Sequence, residues 1–190
     1  MGNEKNEKPL KYFFWLDMEM TGLDEKVDSI LEVAVIITDV DFNVLEQYDQ
    51  VVFQPQNVLE AMNDWCKKHH GESGLTAKVK DGKPLAQVET DLLQLIQKYF
   101  SKDEKVVLCG NSVGNDQRFA LKYMPEVSKR LHYRIVDVSS FKEIFKAKYG
   151  AKFKKKNTHR ALEDILETIE ELKSYLSMVS MPKNDEAKQK

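Results

Sequence analysis

Tyr12-Phe13-Phe14-Trp15-Leu16-Asp17-Met18 opens the folded part of the chain, and after eleven intervening residues comes Ile30-Leu31-Glu32-Val33-Ala34-Val35-Ile36-Ile37-Thr38-Asp39-Val40. The first stretch is apolar, aromatic and of strand length, which predicts a buried central strand. The second is rich in β-branched residues and predicts another strand. Asp41-Phe42-Asn43 reads as a tight turn, so Val44 to Phe53 is expected to return as a third strand. Helical spacing follows over Asn57 to His70 and over Pro84 to Phe100. In the latter Leu85, Val88, Leu92, Leu95, Ile96 and Tyr99 recur at steps of three and four, and Pro84 suits a first helical turn.

Further on, Val106 to Cys109 predicts a short buried strand that turns out through Gly110-Asn111-Ser112. A helix is expected from about Asn115 to Tyr123, ending before Pro125. Arg134 to Val138 predicts another strand, and a helix follows from about Ser139. The last helix is expected from near His159 to about Met178, with Ala161, Leu162, Ile165, Ile169 and Leu172 on its apolar stripe. Strands first paired and then alternating with helices imply an α/β fold with a mixed sheet flanked by helices.

The chain has 190 residues, room for one domain with a substantial core. We expect that domain over residues 10–179, with disordered polar tails at 1–9 and 180–190. The net charge is −2, from 29 basic and 31 acidic residues. A protein that coats long nucleic acid carries a basic surplus to neutralise many phosphates, so the balance argues against that class and leaves short substrates open. The two cysteines, Cys66 and Cys109, read as reduced thiols in a cytoplasmic compartment. No apolar run reaches the ~18 residues a membrane span needs.

Asp17 and Glu19 stand two apart at the end of the first strand, so their side chains share a face. Two strand steps separate them by only ~7 Å. Paired carboxylates repel unless a cation lies between them, and hard divalent cations prefer oxygen ligands. Alone, the pair is better read as a solvated strand end with two unrelated acids. Asp116 follows the Gly-rich turn at a helix start, where an acid is favourable whatever its function. His159 and Asp164 lie five apart, which turns ~140° on an ideal helix. With Asn157 or Thr158 as N-cap, His159 falls at the helix mouth and Asp164 one turn inside. That arrangement suits a mobile base and a fixed ligand.

Taken together, these residues resemble the DEDDh exonucleases of the ribonuclease H-like superfamily, and most closely their oligoribonuclease branch. Leu16-Asp17-Met18-Glu19-Met20-Thr21-Gly22-Leu23 resembles the first family motif, with Met18 where Leu is usual. Cys109-Gly110-Asn111-Ser112 up to Asp116 resembles the second, and Thr158-His159-Arg160-Ala161 up to Asp164 the third. Asp64-Trp65-Cys66, His69-His70, Ser73-Gly74-Leu75, Lys122-Tyr123-Met124-Pro125, His132-Tyr133-Arg134 and Asp137-Val138-Ser139 also match. The likeness spans about residues 12 to 178.

The resemblance implies a ribonuclease H-like mixed five-stranded sheet flanked by helices. It implies two divalent cations, Mg²⁺ or Mn²⁺, held by Asp17, Glu19, Asp116 and Asp164, with His159 as general base. The activity implied is 3′→5′ hydrolysis of very short RNA, especially dinucleotides, to 5′-nucleoside monophosphates. His70, Ser112, Arg134 and Ser139 match a polar cap over the 5′ phosphate. Leu23 matches a wedge between the two bases, and Trp65 a residue that positions the loop and helix beside the site. Tyr133 matches a side chain lent by the partner of a homodimer. Two other functions remain open: an exonuclease of this family acting on longer RNA or on DNA, and a catalytically silent RNA-binding protein on the same fold. The Lys152, Lys154, Lys155 and Lys156 run reads as a solvated charged loop, with weak steering toward phosphate as the alternative.

Overall fold

A computed structural model of the chain describes residues 9–154 and 160–179. The expected tails lie outside the described residues except for Pro9, and so do His159, Asn157, Thr158 and the Lys155–Lys156 end of the basic run.

Five strands form one mixed sheet in the order β3-β2-β1-β4-β5. They are β1 (Tyr12–Met20), β2 (Ile30–Asp39), β3 (Val44–Val51), β4 (Val106–Gly110) and β5 (Leu131–Asp137). The first three form an antiparallel meander, and β4 and β5 join parallel to β1. The three expected opening strands and both later ones are present. The tight turn at Asp41-Phe42-Asn43 uses a left-handed Phe42, φ 63°, and Asp39 Oδ1 accepts the Asp41 and Asn43 amides to hold it.

Alternation on β1 and β2 sorts the core into two layers. Phe14, Leu16 and Met18, with Val33, Val35 and Ile37, pack under α4 (Leu85–Tyr99) and α5 (Gly114–Tyr123). Trp15, Ala34 and Ile36 face the other way, under α7 (Val138–Tyr149) and α8 (Ala161–Ser177). Both faces of β2 are therefore covered, and its run from Ile30 to Thr38 is buried without a polar side. Burying one such aliphatic side chain contributes about 1.5–3 kcal/mol before the entropy of ordering it is subtracted.

The expected single helix over Asn57 to His70 is two: α1 (Gln56–Glu60) and α2 (Asp64–Glu72). The break has a cause. Asn63 leaves helical geometry at ψ 164° and its side chain accepts from the Cys66 amide, starting a new helix. Two short helices were not anticipated, α3 (Leu75–Lys78) and α6 (Pro125–Ser128). With α1 and α2, α3 closes a small third core around Leu31, Leu59, Met62 and Cys66.

The parity of β1 decides which side its acids occupy. Asp17 and Glu19 follow Trp15 on the face toward α8. In the register, Glu19 lies opposite Glu32, so Glu32 also faces α8. Strand β1 pairs with β4 through Phe14↔Leu108 and Trp15↔Cys109. This pairing therefore stops short of Asp17 and Glu19.

Candidate active site

One oxygen each from Asp17, Glu19 and Asp164 lie within 4.8 Å of one another. Strand β1 supplies two of them and the first turn of α8 the third. All three side chains are half-buried. Asp116, in the first turn of α5, is buried nearby, and its Oδ1 accepts the Met18 amide at 3.0 Å. That bond ties α5 to β1 beyond the last β1–β4 pair.

This crowding alters the acids. Burial raises the Glu19 carboxyl to about 8, and the charges of Asp164, Glu32 and Asp116 push the same way, while Arg160 opposes them. Burial raises Asp116 to about 7, against the pull of its own amide and that of Met18. A protein does not gain stability by gathering acids into such a place. An all-oxygen donor set whose members resist ionising together fits a hard divalent cation, which would relieve the repulsion.

Beside the acids lies a cleft of about 490 Å³, lined in part by Met20, Leu23, Trp65, Cys66 and His70. Leu23 and Trp65 stand at it as large apolar side chains 64% and 58% exposed, available to lie against a flat ligand. His70 is buried in α2. A carbonyl can only accept, so His70 Nε2–H donates to the Met20 carbonyl at 2.8 Å, and Nδ1 lies 3.8 Å from Glu19 Oε2.

Leu23 rides on a loop that is fastened twice. Inside, Asp28 accepts from the Thr21 hydroxyl at 2.9 Å and the Asp24 amide at 3.0 Å. Gly22 is required there, since a Cβ would come within 2.4 Å of Asp28 Oδ2. Outside, α5 reaches across: Arg118 donates to Glu25 Oε2 at 3.1 Å and to the Leu23 carbonyl at 3.4 Å, and the Tyr123 hydroxyl donates to the Asp28 carbonyl at 2.5 Å.

Of the expected phosphate cap, Ser112 and Ser139 gather around Asp137. Its Oδ1 accepts the Ser112 amide at 2.9 Å, the Ser139 amide at 2.9 Å and the Ser139 hydroxyl at 2.7 Å. Ser112 is held in the left-handed region, φ 55°, a conformation that costs a non-glycine residue about 1 kcal/mol or more. Arg134 and Tyr133 lie on the outer strand β5. Tyr133 is 77% exposed and sits between the His132 ring, 4.4 Å away, and the Arg134 guanidinium, 5.1 Å from its centroid. His70 belongs instead with Met20 and Glu19.

Sequence reasoning assigned no role to Asp137, Glu32 or Asp28. Asp137 carried a readable signal, an acid at the N-cap of a helix. Glu32 carried another, a lone charge inside an apolar strand.

The chain matches the family model described as Exonuclease (RNase_T) over residues 14–172. It is 44% identical to the mitochondrial oligoribonuclease of Homo sapiens over 182 residues, 93% of this chain and 76% of that one. It is 46% identical to the oligoribonuclease of Francisella tularensis over 166 residues, 85% of this chain and 92% of that one. The chain belongs to the oligoribonuclease family. Among solved structures, cell-death related nuclease 4 aligns with a TM-score of 0.66 at 15% identity, covering 90% of this chain and 65% of that one. E. coli exonuclease I in complex with an oligonucleotide aligns at 0.66 and 16%, covering 87% and 40%. At those identities the likeness concerns the fold: a mixed five-stranded sheet flanked by helices. Family membership makes the chain a nuclease that hydrolyses RNA and depends on divalent metal.

Proposed function

We propose that the protein is a 3′→5′ exoribonuclease for very short oligoribonucleotides, above all dinucleotides, releasing 5′-nucleoside monophosphates. The observation that carries this is the set of three carboxylate oxygens within 4.8 Å of one another beside an apolar cleft, in a chain this similar to oligoribonucleases. Asp17, Glu19, Asp116 and Asp164 hold two divalent cations, Mg²⁺ or Mn²⁺. When bound, these supply Lewis acidity at the scissile phosphate and make the attacking water easier to deprotonate. His159, outside the described residues, takes the proton from that water as general base.

The remaining residues bind and orient. Leu23 separates the two bases, and Trp65 braces the loop and helix beside them. The Ser112 hydroxyl donates to the 5′ phosphate, the Ser139 hydroxyl joins it by turning from Asp137 Oδ1, to which it otherwise donates, Arg134 adds a two-pronged contact, and His70 completes the cap. A closed cap leaves further 5′ nucleotides no room. Tyr133 is supplied to the partner's site in a homodimer, which the exposure of that ring supports.

The enzyme acts in the cytoplasm as one catalytic domain over residues 10–179. No described helix is long and apolar enough to cross a membrane, and both cysteines are free and buried. Because some relatives are named mitochondrial, fractionation of cells making the full chain tests the compartment.

A length series tests the function. RNA of two to twenty nucleotides, with DNA controls, is expected to show the fastest turnover at two and a steep fall beyond. Equal rates on two-mers and twenty-mers overturn the dinucleotide preference. Absence of mononucleotide release from any RNA with Mn²⁺ or Mg²⁺ overturns the enzyme.

A further inference from the structure

Glu32 is an expensive residue where it stands. It is fully buried in β2, and Ile30, Leu31, Val33, Ala34, Val35, Ile36 and Ile37 around it are apolar. It also lies directly opposite Glu19 in the register, where like charges across a pair are unfavourable. A buried ion pair rarely stabilises a fold better than apolar residues of the same size, so its retention points to another use.

Four bonds show what holds it. Arg160 Nε reaches Glu32 Oε1 at 3.0 Å and Oε2 at 3.1 Å, and Nη2 reaches Oε1 at 2.5 Å. The Ala161 amide donates to Oε2 at 3.1 Å. Helix α8 starts at Ala161 with Arg160 at its N-cap, and no side-chain hydrogen bond from that residue caps the helix. Glu32 therefore acts as the missing cap from another element: a carboxylate at the helix N-terminus, where the exposed amides and the dipole favour negative charge. Arg160 also leans toward Asp49 of β3, Nη2 to Oδ2 3.7 Å, so two strands grip the helix mouth. Asp164 is the next turn along, its amide donating to the Arg160 carbonyl at 3.0 Å.

We propose that Glu32 and Arg160 are positioning residues for the metal-holding carboxylates: their ion pair docks the mouth of α8 on β2, and Glu32 cancels a cation that would otherwise compete for the cluster. The proposal rests on the metal-dependent function above. It adds a division of labour within the pair. The fork of Arg160 sets where Asp164 stands relative to Asp17 and Glu19. The charge of Glu32 sets how strongly the cluster attracts a divalent ion. In keeping with this, Arg160 lowers the Glu19 carboxyl while Glu32 raises it, so both charges are felt at the cluster.

Glu32→Gln keeps the shape and leaves Arg160 unbalanced. Calorimetric titration of the metal-free protein with MnCl₂ is expected to show Mn²⁺ affinity about tenfold or more weaker, the scale seen when supporting partners of metal ligands are changed. The far-UV spectrum should be unchanged. The double variant Glu32→Gln, Arg160→Gln restores neutrality, and most of the lost affinity should return. Arg160→Lys keeps the charge and loses the fork. Its Mn²⁺ affinity should fall less than that of Glu32→Gln, while kcat falls about tenfold at little-changed KM, as for an interaction felt mainly in the transition state. A Glu32→Gln protein that titrates like wild type overturns the electrostatic part. An Arg160→Lys protein with wild-type kcat overturns the positioning part. Should Glu32→Gln fail to fold, Arg160→Gln is compared with the double variant, from which it differs only in the charge of Glu32: Mn²⁺ should bind Arg160→Gln more tightly, and equal affinities overturn the electrostatic part. A wild-type chain that takes up no Mn²⁺ overturns the metal-dependent function itself, and the proposal with it.

Discussion

The acids stand at one side of the site on elements held from within. Asp17 and Glu19 end a central strand, Asp116 is pinned to the Met18 amide, and Asp164 follows a helix mouth clamped by Glu32. The proposed cap at the other side rests on β5, an outer strand whose middle residues Tyr133, Arg134 and Ile135 are exposed. There a single carboxylate, Asp137, gathers Ser112 and Ser139. The contrast teaches how chemistry and selectivity divide. The metal-holding groups need fixed distances and take them from the core. The groups proposed to judge substrate length sit on the rim, where the second copy of the proposed dimer would complete them.

The hardest break in this contrast is Asp164→Ala. Losing one metal-holding carboxylate removes several kcal/mol of transition-state stabilisation, so turnover should fall about a thousandfold. The fall should be equal on a dinucleotide and on a p-nitrophenyl ester of a nucleoside monophosphate, which lacks a second base and a 5′ cap contact. A large loss on the dinucleotide alone would place Asp164 with the rim instead. Tyr133→Ala should act on the dinucleotide and spare the ester. A buried aromatic anchor at an interface contributes about 2 kcal/mol, so kcat/KM should drop about thirtyfold. Light scattering checks the dimer, and a fully active monomer contradicts a shared site.

Asp137→Asn separates the two sides further. It weakens the bonds that hold Ser112 in its left-handed geometry, at about 1.5 kcal/mol for a charged acceptor. Selectivity for a 5′-phosphorylated dinucleotide over its 5′-hydroxyl form should shrink about tenfold, with the ester unaffected. The smallest effect belongs to Arg118→Ala. It removes an exposed ion pair to Glu25, which solvent screens, and a long bond to Leu23. KM for the dinucleotide should rise a few-fold with kcat unchanged, by steady-state kinetics.

Much of the acid side was legible because its signals are local. The period of two on β1 put Asp17 and Glu19 on one face, and a helix start marked Asp116. The aromatic and β-branched runs gave the strands their bounds within a few residues. What stayed hidden was long-range. Parallel pairing of β4 with β1 leaves no mark in either segment, and the ion pair between Glu32 and Arg160 joins positions that only the folded sheet brings together. The rim was opaque for another reason: Tyr133 and Arg134 look like any exposed strand residues until the site beside them is drawn. The break at Asn63 was readable, since Asn-Asp-Trp-Cys is a good helix start, but the apolar spacing on either side ran across it.

The clamp at the α8 mouth also has a consequence for the order in which the site comes into being. The Ala161–Glu32 bond spans 129 positions, and Asp164 lies near the late-made end of the described chain. A ribosome that has extruded β1 and β2 has made Asp17, Glu19 and Glu32, but the helix that completes the cluster is still unborn. During those seconds the nascent chain is surrounded by RNA and has no assembled site with which to cut it. The three-carboxylate cluster thereby has to wait until α8 has been made and docked.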